Sequence, residues 1–206
     1  MRVIFEGLSG AGKTTLSRRL SQQLKAPLLP GAMRPFMREW VTMPLKKPYY
    51  KLNDELKEFL ARQLAEPVII FDRCYASTLA YAFALSKCKG AKRSDGQCYQ
   101  DQLEWYFECM ANRTLTTPDI VIILDIPPGL SIQRKPNAHD VDKNFADIRF
   151  LEAIREYYRL FYEVVEPQVN TYWVEVQRPV EEVYSHVESL IQQELKARNV
   201  EVKVLK

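Results

Sequence analysis

Apolar and polar residues fall in blocks along this chain, and the blocks change period in a regular way. Arg2 to Glu6 is a short apolar run of strand length, followed at once by glycines. From Lys13 to Lys25 the pattern becomes helical, with Leu16, Leu20 and Leu24 four apart on one face. Ala26 to Leu29 predicts a second strand. Pro30 to Tyr50 is aperiodic and dotted with Pro30, Pro35, Pro44 and Pro48, which predicts loop or short broken helix. Asn53 to Ala65 predicts a helix carried by Leu56, Phe59, Leu60 and Leu64. Pro67 to Asp72 reads as a buried strand ending on an acid, and Tyr75 to Leu85 as an apolar helix. Ser86 to Gln100 reads as loop, and Gln102 to Leu115 as another helix. The clearest strand is Ile120 to Leu124, five β-favouring residues between Asp119 and Asp125. Pro127-Pro128-Gly129 predicts a turn. Beyond it come a helix from Glu152 to Val165, a strand from Tyr172 to Val176 and a long helix from Val180 to Arg198. Val200 to Val204 alternates, as an edge strand or a loose tail over 199–206 would.

Strands alternating with helices predict a parallel sheet covered on both faces, the α/β class. A length of 206 residues suits one domain over 1–206. Hydrophobic residues at 47% and charged residues at 27% are ordinary globular values and argue against disorder. The net charge of +3 is too small to predict a nucleic-acid surface. No apolar run approaches the ~20 residues of a membrane span. Glu6 and Gly7 interrupt the apolar start that a secretory signal needs. The expectation is a soluble, cytoplasmic protein without nucleic-acid or membrane partners. Cys74, Cys88, Cys98 and Cys109 form no CxxC pair and only two histidines exist, so zinc is not expected. Cys88 and Cys98 flank a loop and are close enough in sequence to pair, although free thiols fit this chain better.

The chemistry starts at Gly7-Leu8-Ser9-Gly10-Ala11-Gly12-Lys13-Thr14, which fits G-x-x-x-x-G-K-[ST] without a mismatch. Glycines let the backbone curl so that successive N–H groups face one concavity, where phosphate oxygens sit. The following helix adds the partial positive charge of its N-terminus. Lys13 reaches the β- and γ-phosphates of a bound nucleotide, the Thr14 hydroxyl ligates Mg²⁺, and Thr15 completes the segment. The sequence thus expects a nucleotide site, with ATP and Mg²⁺ as its occupants. The D-x-x-G and N-K-x-D motifs of a GTPase are missing, and the chain is short for an AAA-type motor. A kinase for a small acceptor remains.

Asp72 and Arg73 follow directly on a buried strand. Ligands of open α/β sheets sit beyond the carboxyl ends of the strands, so both belong in the crevice of the phosphate loop. There the acid can hold Mg²⁺ or orient an acceptor hydroxyl, and the arginine can clamp an acceptor phosphate.

The sequence resembles the thymidylate kinase family of nucleoside monophosphate kinases over most of its length. Phe5-Glu6-Gly7 leading into Gly10 to Thr15 looks like that family's opening, and Asp72 to Tyr81 resembles its D-R-Y/H…S…A-Y segment. Pro118-Asp119 through Pro127-Pro128 and the helix Phe150 to Tyr158 are similar to later segments. The resemblance implies a P-loop NTPase three-layer α/β/α sandwich, a five-stranded parallel sheet with the first strand central, and a short helical lid near 133–145. It implies that Arg73 grips the acceptor phosphate while Asp72 assists at the metal or acceptor side. Because Gly10-Ala11 offers no arginine, catalytic positive charge falls to the lid: Arg134 first, then Lys135 or Lys143. It also implies dTMP as acceptor and a homodimer formed partly by Tyr75 to Leu85.

Departures concentrate on the acceptor side. Ser9 stands where the family usually has an acid that meets the sugar 3′-hydroxyl. Asn53 stands near its base-reading arginine, and Ala82 where glutamine is common. Asn53 can read a base edge or cap the helix that begins Asn53-Asp54-Glu55. Tyr81 and Phe36 can stack on a base or sit in the core. The family's R-E-P-G-G segment is not visible, and Arg34-Pro35 or Arg38-Glu39 can replace it. Two other readings stay open: a deoxynucleoside kinase, with Glu6 or Asp72 as base although the E-R-S signature is replaced by D-R-C, and a nucleotide-binding regulatory protein without turnover.

Overall fold

A computed structural model describes residues 1–33, 49–89, 99–136 and 143–202. Strands β1 (Arg2–Gly7), β2 (Leu28–Leu29), β3 (Ile69–Asp72), β4 (Ile120–Asp125) and β5 (Asn170–Glu175) form one parallel sheet. Its order is β2-β3-β1-β4-β5, so the first strand is central, as expected. Registers Phe5 to Asp72 and Gly7 to Leu124 bring the carboxyl ends of β1, β3 and β4 to one edge. Val3 to Phe5 and Ile120 to Leu124 are buried throughout, as strands covered on both faces must be.

Helix α1 (Lys13–Leu24) packs on β1 and β3 and touches α7 (Val180–Ala197), where the Arg19 guanidinium lies 3.9 Å from the Tyr184 ring centroid. A second group consists of α2 (Tyr49–Leu64), α3 (Tyr75–Lys89), α4 (Tyr99–Ala111) and α6 (Ile148–Leu160), with α3 at its centre. These groups and the sheet make the three layers. A π-helical turn, Phe161–Val165, extends α6.

Several boundaries moved for identifiable reasons. The Pro127-Pro128-Gly129 turn opens a short helix, α5 (Pro128–Arg134), because proline at the first helical position needs no N–H partner. Ser86 to Lys89 and Tyr99-Gln100 are helical rather than loop, while 90–98 lies outside the described residues. Val200 to Val202 forms no strand, and the rest of that alternating segment lies outside the description.

Helix α2 departs most. It begins at Tyr49, and its buried residues are Asn53, Asp54, Lys57, Glu58 and Ala61, whereas Phe59 and Leu64 are exposed. The polar stripe faces inward because each member has a partner there: Asn53 and Asp54 line the site described below, Lys57 meets the end of β3, and Glu58 pairs with Arg2. The apolarity of Tyr75 to Leu85 is accounted for within one chain: Tyr75, Leu79, Ala80, Ala82, Ala84 and Leu85 are buried, and α3 packs against α4 and α6. Cys74, Cys88 and Cys109 form no disulfide among the described residues, and the Cys88–Cys98 pairing lies outside them. Among the described residues no helix is long and apolar enough to cross a membrane.

Candidate active site

The phosphate loop forms because β1 stops where only glycine fits. At Gly7, φ is +130° and a Cβ would lie 2.4 Å from the Leu124 carbonyl oxygen on β4. Gly12, at φ +95°, begins α1 in the left-handed region, and no side chain caps the first N–H groups of that helix. Lys13 curls back over the loop and donates to the Gly7 and Leu8 carbonyls at 2.9 and 2.6 Å. Burial and then the neighbouring Arg73 push its ammonium well below the usual lysine range, against the pull of Asp72 and Glu6. Ser131 of α5 donates to the Ser9 carbonyl at 2.6 Å and anchors the loop's far side.

The second strand end meets this loop as expected. The Thr14 hydroxyl donates to Asp72 Oδ2 at 2.6 Å. The Arg73 guanidinium donates to the Gly7 carbonyl at 3.2 Å and to Ser77 Oγ at 3.0 Å. A cleft of about 1050 Å³ is lined by Gly7, Ser9, Gly10, Gly12, Lys13, Thr14 and Thr15 on one side, and by Asn53, Asp72, Arg73 and Tyr81 on the other. Ala11 is in the loop but buried behind this surface.

The other candidates separate. Asn53 is not a helix cap, because α2 starts a turn earlier. Its Oδ1 accepts from the Met33 N–H at 2.8 Å and its Nδ2 donates to the Gly31 carbonyl at 3.4 Å, tying the segment after β2 to the cleft wall. Tyr81 accepts from Asn144 Nδ2 at 3.1 Å and meets Phe150 edge-on, so its ring serves both wall and core. Arg134 is not brought to the cleft: its guanidinium donates to the Val176 carbonyl at 2.8 Å, beyond the end of β5. Its neighbour Lys135 does line the cleft, as does exposed Arg18, while exposed Lys143 starts a 3₁₀ turn, Lys143–Ala146. Residues 137–142, most of the expected lid, lie outside the description, as do Arg34-Pro35, Phe36 and Arg38-Glu39.

Three participants escaped the sequence reading as site residues. Glu6, fully buried, had been considered only as a base. It accepts from the Cys74 N–H at 2.8 Å, Ser77 Oγ at 2.5 Å and the Tyr158 hydroxyl at 3.0 Å, so it holds the turn after β3. Asp54 lines the cleft and accepts from Thr78 Oγ1 at 2.7 Å; burial raises it to about 6, although Lys57 and Thr78 pull the other way. Lys57 is buried beside them and donates to the Asp72 and Arg73 carbonyls. The signal available for the last two was their spacing of three with Asn53 one residue before, a polar stripe that masquerades as a solvated face.

Thr14 and Asp72 offer a hydroxyl and a carboxylate, hard oxygen donors at the mouth of the loop. Such a pair suits Mg²⁺, which takes a few protein oxygens and fills its other positions with phosphate and water. Among the described residues no cluster of three or more His, Cys, Asp or Glu competes as a metal site.

Comparison with known proteins agrees with this geometry. A family model described as an AAA domain matches residues 2–206, so shortness does not separate the chain from that family. The probable thymidylate kinase 1 of Saccharolobus solfataricus is 27% identical over 94% of this chain and 97% of that protein. The probable thymidylate kinase of Sulfurisphaera tokodaii is 30% identical over 76% of this chain and 79% of that protein. Among solved structures, deoxyadenosine kinase from M. mycoides with products dCMP and dCDP bound superposes with a TM-score of 0.67 at 19% identity. That match covers 94% of this chain and all of that one, a likeness of fold. By these matches the chain belongs to the family that the AAA domain model describes and to the thymidylate kinase-like P-loop kinases, which are phosphotransferases.

Proposed function

We propose that this phosphotransferase moves the γ-phosphoryl group of ATP, with Mg²⁺, onto a nucleoside monophosphate to give the diphosphate, and that dTMP is the leading acceptor. The observation that carries the reading is the single cleft with a phosphate loop on one wall and a strand-end arginine on the other. The loop's N–H groups and the uncapped start of α1 bind the donor phosphates. Lys13 lies where those phosphates restore the charge that burial disfavours. Thr14 and Asp72 would hold Mg²⁺, which supplies charge neutralisation across the β- and γ-phosphates when bound. Arg73 holds the acceptor phosphate in line, and Ser9, Asn53 and Tyr81 line the acceptor region. Lys135 supplies positive charge from the wall. Arg134 joins it when lid closure exchanges the Val176 carbonyl for phosphate, and closure excludes water and so prevents hydrolysis.

The deoxynucleoside kinase reading fares less well. Glu6 is engaged by three protein donors and does not line the cleft, so of the two bases that reading names only Asp72 stands on the cleft wall.

The deciding experiment is ADP formation with ATP and Mg²⁺ across a panel of nucleoside monophosphates and nucleosides. Turnover with dTMP is expected. Preference for another monophosphate keeps the chemistry and makes Ser9 and Asn53 the specificity determinants. Turnover with nucleosides alone, or tight ATP binding without turnover, would replace this reading with the deoxynucleoside kinase or the regulatory one.

A further inference from the structure

The turn that presents Arg73 is held in a conformation that a long side chain rarely adopts. Arg73 has φ +68°, in the left-handed region, where an L residue crowds its own carbonyl. It follows directly on β3, and its N–H still donates to the Phe5 carbonyl on β1 at 2.9 Å. The next N–H, of Cys74, donates to Glu6 Oε1 at 2.8 Å. The carbonyls of Asp72 and Arg73 both accept from one group, the Lys57 ammonium, at 2.9 and 3.0 Å. Lys57 is only 1% exposed. Burying an ammonium is expensive, and a neutral donor would satisfy a carbonyl at lower cost. Among the described residues lining the cleft, Arg73 is the only non-glycine at positive φ, and the buried charge sits on its backbone. Lys57 also stands one helical turn beyond Asn53 and Asp54, on the same buried face of α2, so it connects the acceptor wall to the arginine.

We propose that Lys57 is a positioning residue for the phosphoryl transfer. Its ammonium clamps the Asp72 and Arg73 carbonyls, keeps Arg73 left-handed, and thereby aims the guanidinium at the acceptor phosphate. The inference rests on the acceptor role proposed for Arg73. Without the clamp, two inward carbonyls lose their donor, and the peptide relaxes by returning Arg73 to an ordinary φ. That rotation carries the guanidinium away from Gly7 and Ser77.

Lys57→Met keeps the length and apolar volume of the stem and removes the donor. In the folded variant the acceptor KM is expected to rise at least tenfold and kcat to fall, with the ATP KM within twofold of the unsubstituted enzyme. A folded variant with acceptor KM and kcat both within twofold overturns the inference, and so does an equal loss on the ATP and acceptor sides. Should Lys57→Met not fold, Lys57→Gln, which retains one neutral donor, carries the same measurements with a smaller expected KM change of about threefold. A crystal structure of the variant separates this inference from the function it rests on. Arg73 found at ordinary negative φ supports the clamp even if the unsubstituted protein turns over no acceptor. Arg73 still near φ +68° with its guanidinium on Gly7 refutes the clamp whatever the activity.

Discussion

The half of the cleft proposed for the donor comes from one continuous stretch, Gly7 to Thr14, while the half proposed for the acceptor is gathered from α2, the end of β3 and α3. On the donor side the chemistry belongs largely to the backbone: N–H groups, a helix start and glycines at φ values that other residues avoid. On the acceptor side it belongs to buried side chains that satisfy one another, with Asn53 on Met33, Asp54 on Thr78 and Lys57 on Asp72 and Arg73. A backbone device works only at fixed spacing and so leaves a readable signature. A side-chain network can be assembled from many positions, and its members trade places without leaving a motif. Substitutions on the two sides should therefore fail differently.

The largest effect is expected at Lys13, which sits over the loop and has no substitute there. Lys13→Ala should lower kcat with every acceptor by ~10³-fold or more, since the removed charge acts in a water-poor cleft. Near-normal turnover would break the donor assignment outright. Arg73→Ala should spare ATP affinity and raise the acceptor KM or cut kcat by ~10–100-fold, the range for losing hydrogen bonds to a charged group. A selective loss of ATP binding would move Arg73 to the donor half and dissolve the comparison.

The smallest effect concerns stability and tests whether the acceptor wall carries a cost. Burial raises Asp54 from about 3.8 to about 6, with Lys57, Thr78, Glu6 and Asn53 as the other groups facing it. The folded chain thus binds this proton more tightly than the unfolded chain. Stability from this group is greatest below pH 4, declines as the pH rises towards 6, and stays flat above. Asp54→Asn keeps an acceptor for Thr78 and removes the buried charge. Its melting temperature should exceed that of the unsubstituted protein at pH 8, by a margin worth up to about 3 kcal/mol. The margin should close below pH 4. A constant margin from pH 4 to 8 would show that the carboxylate carries no desolvation cost.

Much of the fold was legible because each signal was local. The apolar block Ile120 to Leu124 announced a strand buried on both faces, and Leu16, Leu20 and Leu24 announced a helix. Helix α2 misled for the opposite reason. Leu56, Phe59, Leu60 and Leu64 marked an apolar face by periodicity, yet burial goes to the stripe of Asn53, Asp54, Lys57 and Glu58. Periodicity reports which residues share a face and is silent on which face meets the cleft. Periodicity is equally silent on Arg134 and Lys135, since adjacent residues at the end of a short helix point in different directions: Lys135 reaches the cleft wall while Arg134 reaches Val176.

The sequence by itself determined the α/β class, the phosphate loop and the meeting of Asp72 and Arg73 with it. Spacing along one chain and the carboxyl-end rule for parallel strands suffice for those. Only the tertiary structure decided that Glu6 is engaged by three protein donors behind the cleft wall, that Asn53 tethers a loop rather than caps a helix, and that a buried lysine donates to the carbonyls of Asp72 and Arg73. Each of these depends on which partner, distant in sequence, satisfies a buried polar group, and pairing of that kind is settled by packing.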